Sequence, residues 1–275
     1  MKTSMATMSL SGDLGEKLDS IAAAGFEGVE IFESDFLACG ASAADVGLMV
    51  REAGLAVSLF QPFRDFEGMP EPQRSRSFER AERKFDLMQQ LGADLILVCS
   101  NVSPLSLGGF ERAAADFHEL GEHAARRGLR VGFEALSWGR HVNDHRDAWE
   151  IVQRAGHAAV GLILDSFHTL ARGIDPATIC HIPGERIFLV QIADAPQVDT
   201  DFLSWSRRFR TMPGQGALPI DDFIDAVETT GYCGYYSLEI FNDQSPPSSA
   251  RMVAIDGRRS LLSTMDRVTR RKPGA

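Results

Sequence analysis

The chain has 275 residues, 44% of them hydrophobic, and a formal net charge of −10. That length can bury one large core or two small ones. The acidic balance argues against a nucleic-acid-binding protein, which needs clustered Lys and Arg, and the absence of any run of roughly 18 apolar residues argues against a membrane-spanning one.

Strand-like and helix-like segments alternate along the chain. Apolar residues at helical spacing followed by a glycine mark the helices, as in residues 14–24 before Gly25. The predicted strands are residues 2–10, 26–33, 55–61, 94–99, 129–134, 160–165, 186–194 and 235–241. The predicted helices are residues 14–24, 43–53, 77–91, 110–127, 144–155, 219–230 and 250–268, with a shorter piece at 176–180.

Two connections are longer than simple turns. Residues 62–70 are rich in Pro, Gly and aromatic side chains, and we interpret them as a candidate lid. Residues 195–218, after the seventh strand, carry several arginines and the turn 213–216.

Eight strands that alternate with helices predict a closed (β/α)8 TIM barrel, an α/β fold. An open doubly wound sheet is the rival, but neither a G-x-G-x-x-G nor a G-x-x-x-x-G-K-[ST] motif follows the first strand. Since no long polar linker divides the chain, we expect residues 1–275 to form a single domain.

The four cysteines are scattered without a metal-binding spacing. They are Cys39, Cys99, Cys180 and Cys233. This pattern indicates reduced thiols in a cytoplasmic protein and argues against a zinc cluster built from cysteine.

Four of the later strands carry an oxygen-bearing side chain at or near their C-terminal ends. These residues are Glu134, Asp165, Gln191 and Glu239. In a barrel such ends share one rim, so the four side chains are predicted to converge. Three carboxylates close together repel one another unless a cation lies between them. Oxygen ligands favour Mg2+, Mn2+ or a similar hard ion.

Each of these residues also has an ordinary structural explanation. Glu134 could be a solvated strand end, Asp165 could cap the turn through Ser166, and Gln191 could be a buried amide bonded to backbone. Four such residues on strands five to eight favour the metal site over coincidence.

Other polar residues are placed where they could contact a substrate. His168 follows Asp165 by three residues, and its near-neutral pKa suits proton transfer. Arg64 follows strand three and Arg210 follows strand seven, where a guanidinium can bind a carboxylate or phosphate in a bidentate manner. Ser206 could line the same pocket.

Several segments resemble the xylose-isomerase-like TIM-barrel superfamily of sugar phosphate isomerases and epimerases. They are residues 29–33, 132–134, 164–168, 190–194, 213–216 and 237–240. Longer strings resemble, more narrowly, the bacterial 3-dehydroshikimate dehydratases of quinate and shikimate catabolism. These strings are residues 59–68, 98–102, 165–173 and 241–244.

The resemblance implies a hydro-lyase that converts 3-dehydroshikimate to protocatechuate with a divalent metal, Mg2+, Mn2+ or Co2+. The matching metal ligands are Glu134, Asp165, Gln191 and Glu239, where many superfamily members have His at the position of Gln191. We assign His168 as the leading proton-transfer group, with Glu134 and Glu239 as alternative bases. Arg64, Ser206 and Arg210 are the expected substrate contacts, the arginines through the substrate carboxylate.

Two other functions stay open. One is a keto-sugar isomerase or epimerase that uses the same enolate chemistry, and the other is a metal-free binding or regulatory barrel. Relatives of the dehydratase often have a second, dioxygenase-like domain, so the chain is either a one-domain form or the N-terminal domain of a longer enzyme. Whether it forms a homo-oligomer is also open.

Overall fold

A computed structural model describes residues 2–241 and 249–271, and its strands form one closed parallel barrel. Part of the segment 241–244, which carries some of the resemblance, lies outside the described residues. The strands are β1 (Lys2–Ala6), β2 (Gly28–Phe32), β3 (Ala56–Phe63), β4 (Leu95–Cys99), β5 (Arg130–Glu134), β6 (Val160–Asp165), β7 (Ile187–Ile192) and β8 (Tyr235–Leu238). Each strand pairs with the next, and β1 pairs with β8. The predicted TIM barrel is confirmed and the open sheet is excluded.

Ten α-helices surround the barrel in the described part of the chain. They are α1 (Leu14–Ala24), α2 (Glu33–Cys39), α3 (Ala43–Glu52), α4 (Gln73–Leu91), α5 (Phe110–Ala125), α6 (His145–Ala155), α7 (Ser166–Ala171), α8 (Phe202–Arg208), α9 (Ile220–Thr229) and α10 (Ala250–Arg271). The short piece predicted at 176–180 is a 3-10 helix, Pro176–His181. Helices α2, α7 and α8 were not predicted, because six or seven residues are too few to show a helical period.

Local capping explains where the helices begin and end. Asp13 and Glu16 form a reciprocal capping box at the start of α1, and Gly25 ends this helix in the left-handed conformation (φ +88°). Helix α8, which was not predicted, is capped by the preceding residue Asp201, whose side chain accepts a hydrogen bond from the Ser204 backbone. These side chains satisfy backbone donors that have no partner inside the helix.

The barrel interior has an apolar floor beneath a polar layer. Leu59, Leu95, Leu97, Ile163 and Leu189 belong to one buried cluster within the barrel. Alternate strand residues point to the same face, so the polar side chains two positions further along β3, β6 and β7 lie above this floor. They are Gln61, Asp165 and Gln191, all buried.

The segment 62–70, the candidate lid, is packed against the barrel wall in this structure. Phe66 is 1% exposed and contacts the rings of Phe63 and Phe117. The Gly68 backbone donates a 2.8 Å hydrogen bond to the carboxylate of Asp116. The buried aromatic rings hold the segment in place. The composition of the loop did not predict this burial.

All four cysteines are free thiols. Within residues 2–241 and 249–271, the structure has no helix with the length and apolar character needed to span a membrane.

Candidate active site

The four predicted oxygen donors converge at the C-terminal mouth of the barrel. Glu134 ends β5, Asp165 ends β6, Gln191 lies in β7 and Glu239 directly follows β8. Asp165 and Gln191 are register partners, and the exposed fraction of each of the four residues is 4% or less. None of the three carboxylates is a solvated strand end.

Arg210 lies among these carboxylates and is 1% exposed. Its Nη1 donates to Asp165 Oδ2 at 2.8 Å and to Glu239 Oε2 at 2.9 Å. Ser206 Oγ accepts hydrogen bonds from Nε and Nη2 of the same guanidinium at 3.2 and 3.0 Å. The sequence suggested a substrate contact for Arg210, whereas these bonds also make it the cation that offsets part of the site's negative charge.

The loop after β7 brings Arg210 into the barrel mouth. Asp194 pairs with Thr211 in an isolated antiparallel bridge. Its carboxylate accepts hydrogen bonds from the backbone N–H groups of Gly214, Gly216 and Leu218 at 2.9 to 3.0 Å. One buried side chain therefore folds the turn that follows Arg210 back against the barrel.

His168 lies beside the same cluster, on helix α7. Asp165 Oδ1 caps this helix by accepting from the Phe167 backbone at 2.6 Å, so the capping role considered for Asp165 is real and leaves Oδ2 for Arg210. His168 Nε2 is 3.7 Å from Asp165 Oδ2 and 3.9 Å from Glu134 Oε1. The Trp138 ring packs against the imidazole edge to face, with centroids 5.1 Å apart.

Hydrogen-bond donors lie near both ring nitrogens of His168. The Ser137 backbone N–H is directed at Nδ1 from 3.2 Å, which favours the tautomer with the ring proton on Nε2. Arg210 Nη2, which also donates to Ser206, lies 3.4 Å from Nε2. Burial, with the positive charges of Arg210 and Arg64, lowers the pKa of His168 to about 3, which keeps the imidazole neutral.

The three carboxyl groups have different electrostatic surroundings. Burial raises the pKa of Glu134 well above its usual value, and the charges of Glu239 and Asp165 add to this effect. Burial also raises the pKa of Glu239, against the opposing charge of Arg210. For Asp165, burial is outweighed by the charge of Arg210 and the hydrogen bonds that the carboxylate accepts, so its pKa is lowered. Asp165 is therefore the most readily ionised of the three.

The donor set fits a hard divalent cation. Glu134, Asp165 and His168 each offer a ligand atom within 4.8 Å of the others. Gln191 Nε2 donates to Glu30 Oε2 at 2.8 Å, while its buried Oε1 has no hydrogen-bond partner among the described residues. An unpartnered buried oxygen costs free energy that a cation would offset.

The remaining walls combine predicted and unpredicted residues. The lining includes the predicted Arg64 and Ser206, and the unpredicted Gln61, Cys99, Leu136, Trp138 and Phe241. Arg207 stacks over the Phe241 ring at 4.2 Å. Gln61 carried a usable signal, since it is a polar residue two positions after Leu59 on the interior face of β3; no sequence pattern marked the aromatic walls.

Comparison with known proteins agrees with the barrel fold. A family model described as "Xylose isomerase-like TIM barrel" matches residues 18–261. The chain belongs to this family. Its sequence is 54% identical to the 3-dehydroshikimate dehydratase of Pseudomonas putida and 55% identical to that of Pseudomonas aeruginosa, each over 262 residues.

These relatives are longer proteins. The aligned region covers 95% of this chain but 41% of either dehydratase. A solved xylose isomerase-like TIM barrel/4-hydroxyphenylpyruvate dioxygenase fusion protein is 51% identical, with a TM-score of 0.97, and the match covers 100% of this chain and 45% of the fusion protein. The chain thus spans less than half the length of each of these three proteins.

Proposed function

We propose that this barrel is a metal-dependent 3-dehydroshikimate dehydratase, a hydro-lyase that forms protocatechuate and water. The observation that carries the proposal is the convergence of Glu134, Asp165, Gln191 and Glu239 beside His168 in one buried mouth. The identity to the two Pseudomonas dehydratases, over 95% of the chain, supports this reaction over others of the same family. We further propose that residues 1–275 correspond to the barrel domain of such an enzyme.

The reaction requires removal of one proton and departure of one hydroxyl. In 3-dehydroshikimate the C4 hydrogen is α to the C3 ketone, and the leaving hydroxyl at C5 is β to it. Removal of the C4 proton gives an enolate, loss of the C5 hydroxyl as water gives a dienone, and tautomerisation gives the aromatic ring. The protein must accept one proton, donate one to the leaving group, and stabilise charge on the ketone oxygen.

Glu134, Asp165, Gln191 and Glu239 would hold the metal. When bound, a divalent ion supplies Lewis-acid polarisation of a substrate oxygen. The donor set supports Mg2+, Mn2+ or Co2+ as candidates, because three of the donors are carboxylates and the fourth is an amide oxygen.

His168 is the proposed proton-transfer group at the departing hydroxyl. Its neutral imidazole would give the Nε2 proton to that oxygen and recover a proton from the carboxyl group that has taken up the C4 hydrogen. Its Nε2–H faces the carboxylate cluster, while its Nδ1 is bonded to Ser137. Glu134 or Glu239 would then accept the C4 proton, and burial raises the pKa of both carboxyl groups. A carboxylate with a raised pKa is a stronger base in its ionised form.

Substrate anchoring is proposed for Arg64, with Ser206 and Arg210. Arg64 is half-buried and lines the cavity, so its guanidinium can bind the substrate carboxylate. Arg210 would hold Asp165 and Glu239 in place while its other edge, next to Ser206, faces the substrate.

The test is an ultraviolet assay of the metal-supplied protein with 3-dehydroshikimate, with Asp165→Asn as the comparison. We expect absorbance of protocatechuate from the wild-type protein and strongly reduced formation from the variant, which lacks one charge and one ligand. Bound metal without product would contradict the dehydratase and favour a keto-sugar isomerase or epimerase. Neither metal nor product would favour a binding or regulatory barrel.

A further inference from the structure

Glu30 lies in β2 inside the barrel and its side chain is completely buried. We propose that Glu30 is a positioning residue that fixes the amide orientation of Gln191, so that the Gln191 carbonyl oxygen faces the metal-binding carboxylates. This inference rests on the proposed function, because it assigns Glu30 a role in the metal site proposed there.

The hydrogen bonds to Glu30 set the direction of the Gln191 amide. Glu30 Oε2 accepts from Gln191 Nε2 at 2.8 Å. This oxygen accepts from the amides of both Gln191 and Gln61, so rotation of the Gln191 amide by 180° would place two oxygens in contact and lose the hydrogen bond. Glu30 therefore selects the orientation in which Gln191 Oε1 points away from it, and this oxygen is buried without a partner among the described residues.

Gln61 donates a second hydrogen bond to Glu30. Its Nε2 lies 2.6 Å from the same Glu30 oxygen, and Gln61 lines the cavity together with Glu239. Glu30 thus connects β2 with β3 and β7. Hydrogen-bond partners of this kind orient metal ligands and hold a side-chain amide in one of its two possible orientations.

The reach of the side chain and the carboxyl group itself can be separated at Glu30 by two conservative variants. Glu30→Gln keeps the length of the side chain and an oxygen that can accept from both amides, but removes the ionisable carboxyl group. Glu30→Asp keeps the carboxyl group and withdraws the oxygen by one methylene. A positioning role predicts that Asp is the more damaging substitution, whereas a role as a direct ligand predicts that Gln is.

The experiment measures Mn2+ affinity of the full chain by calorimetry and by electron paramagnetic resonance of bound Mn2+. For Glu30→Asp we expect affinity to fall on the order of 10- to 100-fold, and for Glu30→Gln by less than about tenfold. In a Gln191→Ala background the Asp substitution should cause little further loss, because its effect passes through Gln191.

Glu67→Gln is the matched control. Glu67 is also a buried glutamate, but its carboxylate bonds to the Asn101 backbone outside the cluster, so this variant should leave Mn2+ affinity unchanged. Equal loss in Glu30→Gln and Glu30→Asp, no loss in either, or full additivity with Gln191→Ala would each overturn the proposal. If all these variants and the wild-type protein fail to bind Mn2+, the proposed metal function itself is contradicted.

Discussion

The backbone N–H of Ser137 is directed at Nδ1 of His168 across 3.2 Å. Because a backbone N–H can only donate, this contact favours the tautomer in which Nδ1 is unprotonated and Nε2 carries the ring proton. The protonated nitrogen therefore faces Asp165 and Glu134, at 3.7 and 3.9 Å. In this arrangement His168 is a hydrogen-bond donor toward the reaction centre, which suits it to protonate a leaving hydroxyl.

Replacing His168 with Ala should abolish most of the turnover and leave the metal in place. Loss of a general acid typically lowers kcat on the order of 10²- to 10⁴-fold. Steady-state kinetics and Mn2+ calorimetry on the same preparations provide the comparison. Retained turnover would remove His168 from the mechanism, and lost Mn2+ affinity would make it a ligand instead, an option that its distance to the carboxylates allows.

Replacing Arg210 with Met should strongly destabilise the metal-free protein. The substitution leaves the buried carboxylates of Asp165 and Glu239 without their cation, and breaking a buried pair in this way costs about 3–5 kcal/mol. Urea unfolding monitored by circular dichroism gives the free energy of unfolding. Arg208→Met is the control because Arg208 is exposed, and equal effects of the two changes would show that the buried contacts contribute nothing.

Replacing Arg64 with Ala should raise KM more than it lowers kcat. Arg64 is half-buried and lines the cavity. Loss of one charge-assisted hydrogen bond corresponds to a loss of about 10- to 100-fold in binding affinity. Kinetics with 3-dehydroshikimate measure this change, with the exposed Arg140→Ala as the control. An unchanged KM would assign substrate anchoring to other residues.

The carboxyl of Glu67 should make stability depend on pH. Burial raises its pKa from 4.5 to about 8, despite the opposing hydrogen bond from Asn101. Between pH 4.5 and about pH 8 the Glu67 carboxyl is protonated in the folded protein and ionised in the unfolded chain, so the free energy of unfolding falls as pH rises. Below pH 4.5 this carboxyl is protonated in both states and contributes no pH dependence. Glu67→Gln removes that dependence.

The free energy of unfolding of Glu67→Gln relative to wild type should therefore increase between about pH 5 and about pH 8, by on the order of 2–4 kcal/mol. Urea titrations of both proteins across that range measure the difference. A difference that stays constant with pH would show that the Glu67 pKa is not raised by folding.

The repeating parts of the fold were predictable from the sequence. The strand at 160–165 was predicted with the bounds that the structure has, because a short apolar run ending in Asp is typical of a buried strand of an α/β barrel. The oxygen donors were found by the same reasoning, since parallel strands end at one rim. Helices α2 and α7 and the packing of residues 62–70 were missed because they depend on caps and tertiary contacts rather than on periodicity.

The partners of the site residues could not be predicted. Strand alternation puts Glu30 and Phe32 of β2 on one face, but alternation alone does not identify that face as the barrel interior. Arg210 reaches Asp165 and Glu239 through a loop whose path depends on the buried Asp194. Contacts of this kind join residues far apart in the chain, and no local pattern records them.

The central claim is that the four oxygen donors hold a metal needed for dehydration of 3-dehydroshikimate. The most direct test removes metal with a chelator, then titrates Mg2+, Mn2+ or Co2+ back while following protocatechuate formation. We expect no product from the chelated protein and restored activity that saturates near one equivalent of metal per chain. Full activity of the chelated protein, with metal content confirmed as negligible, would contradict the account.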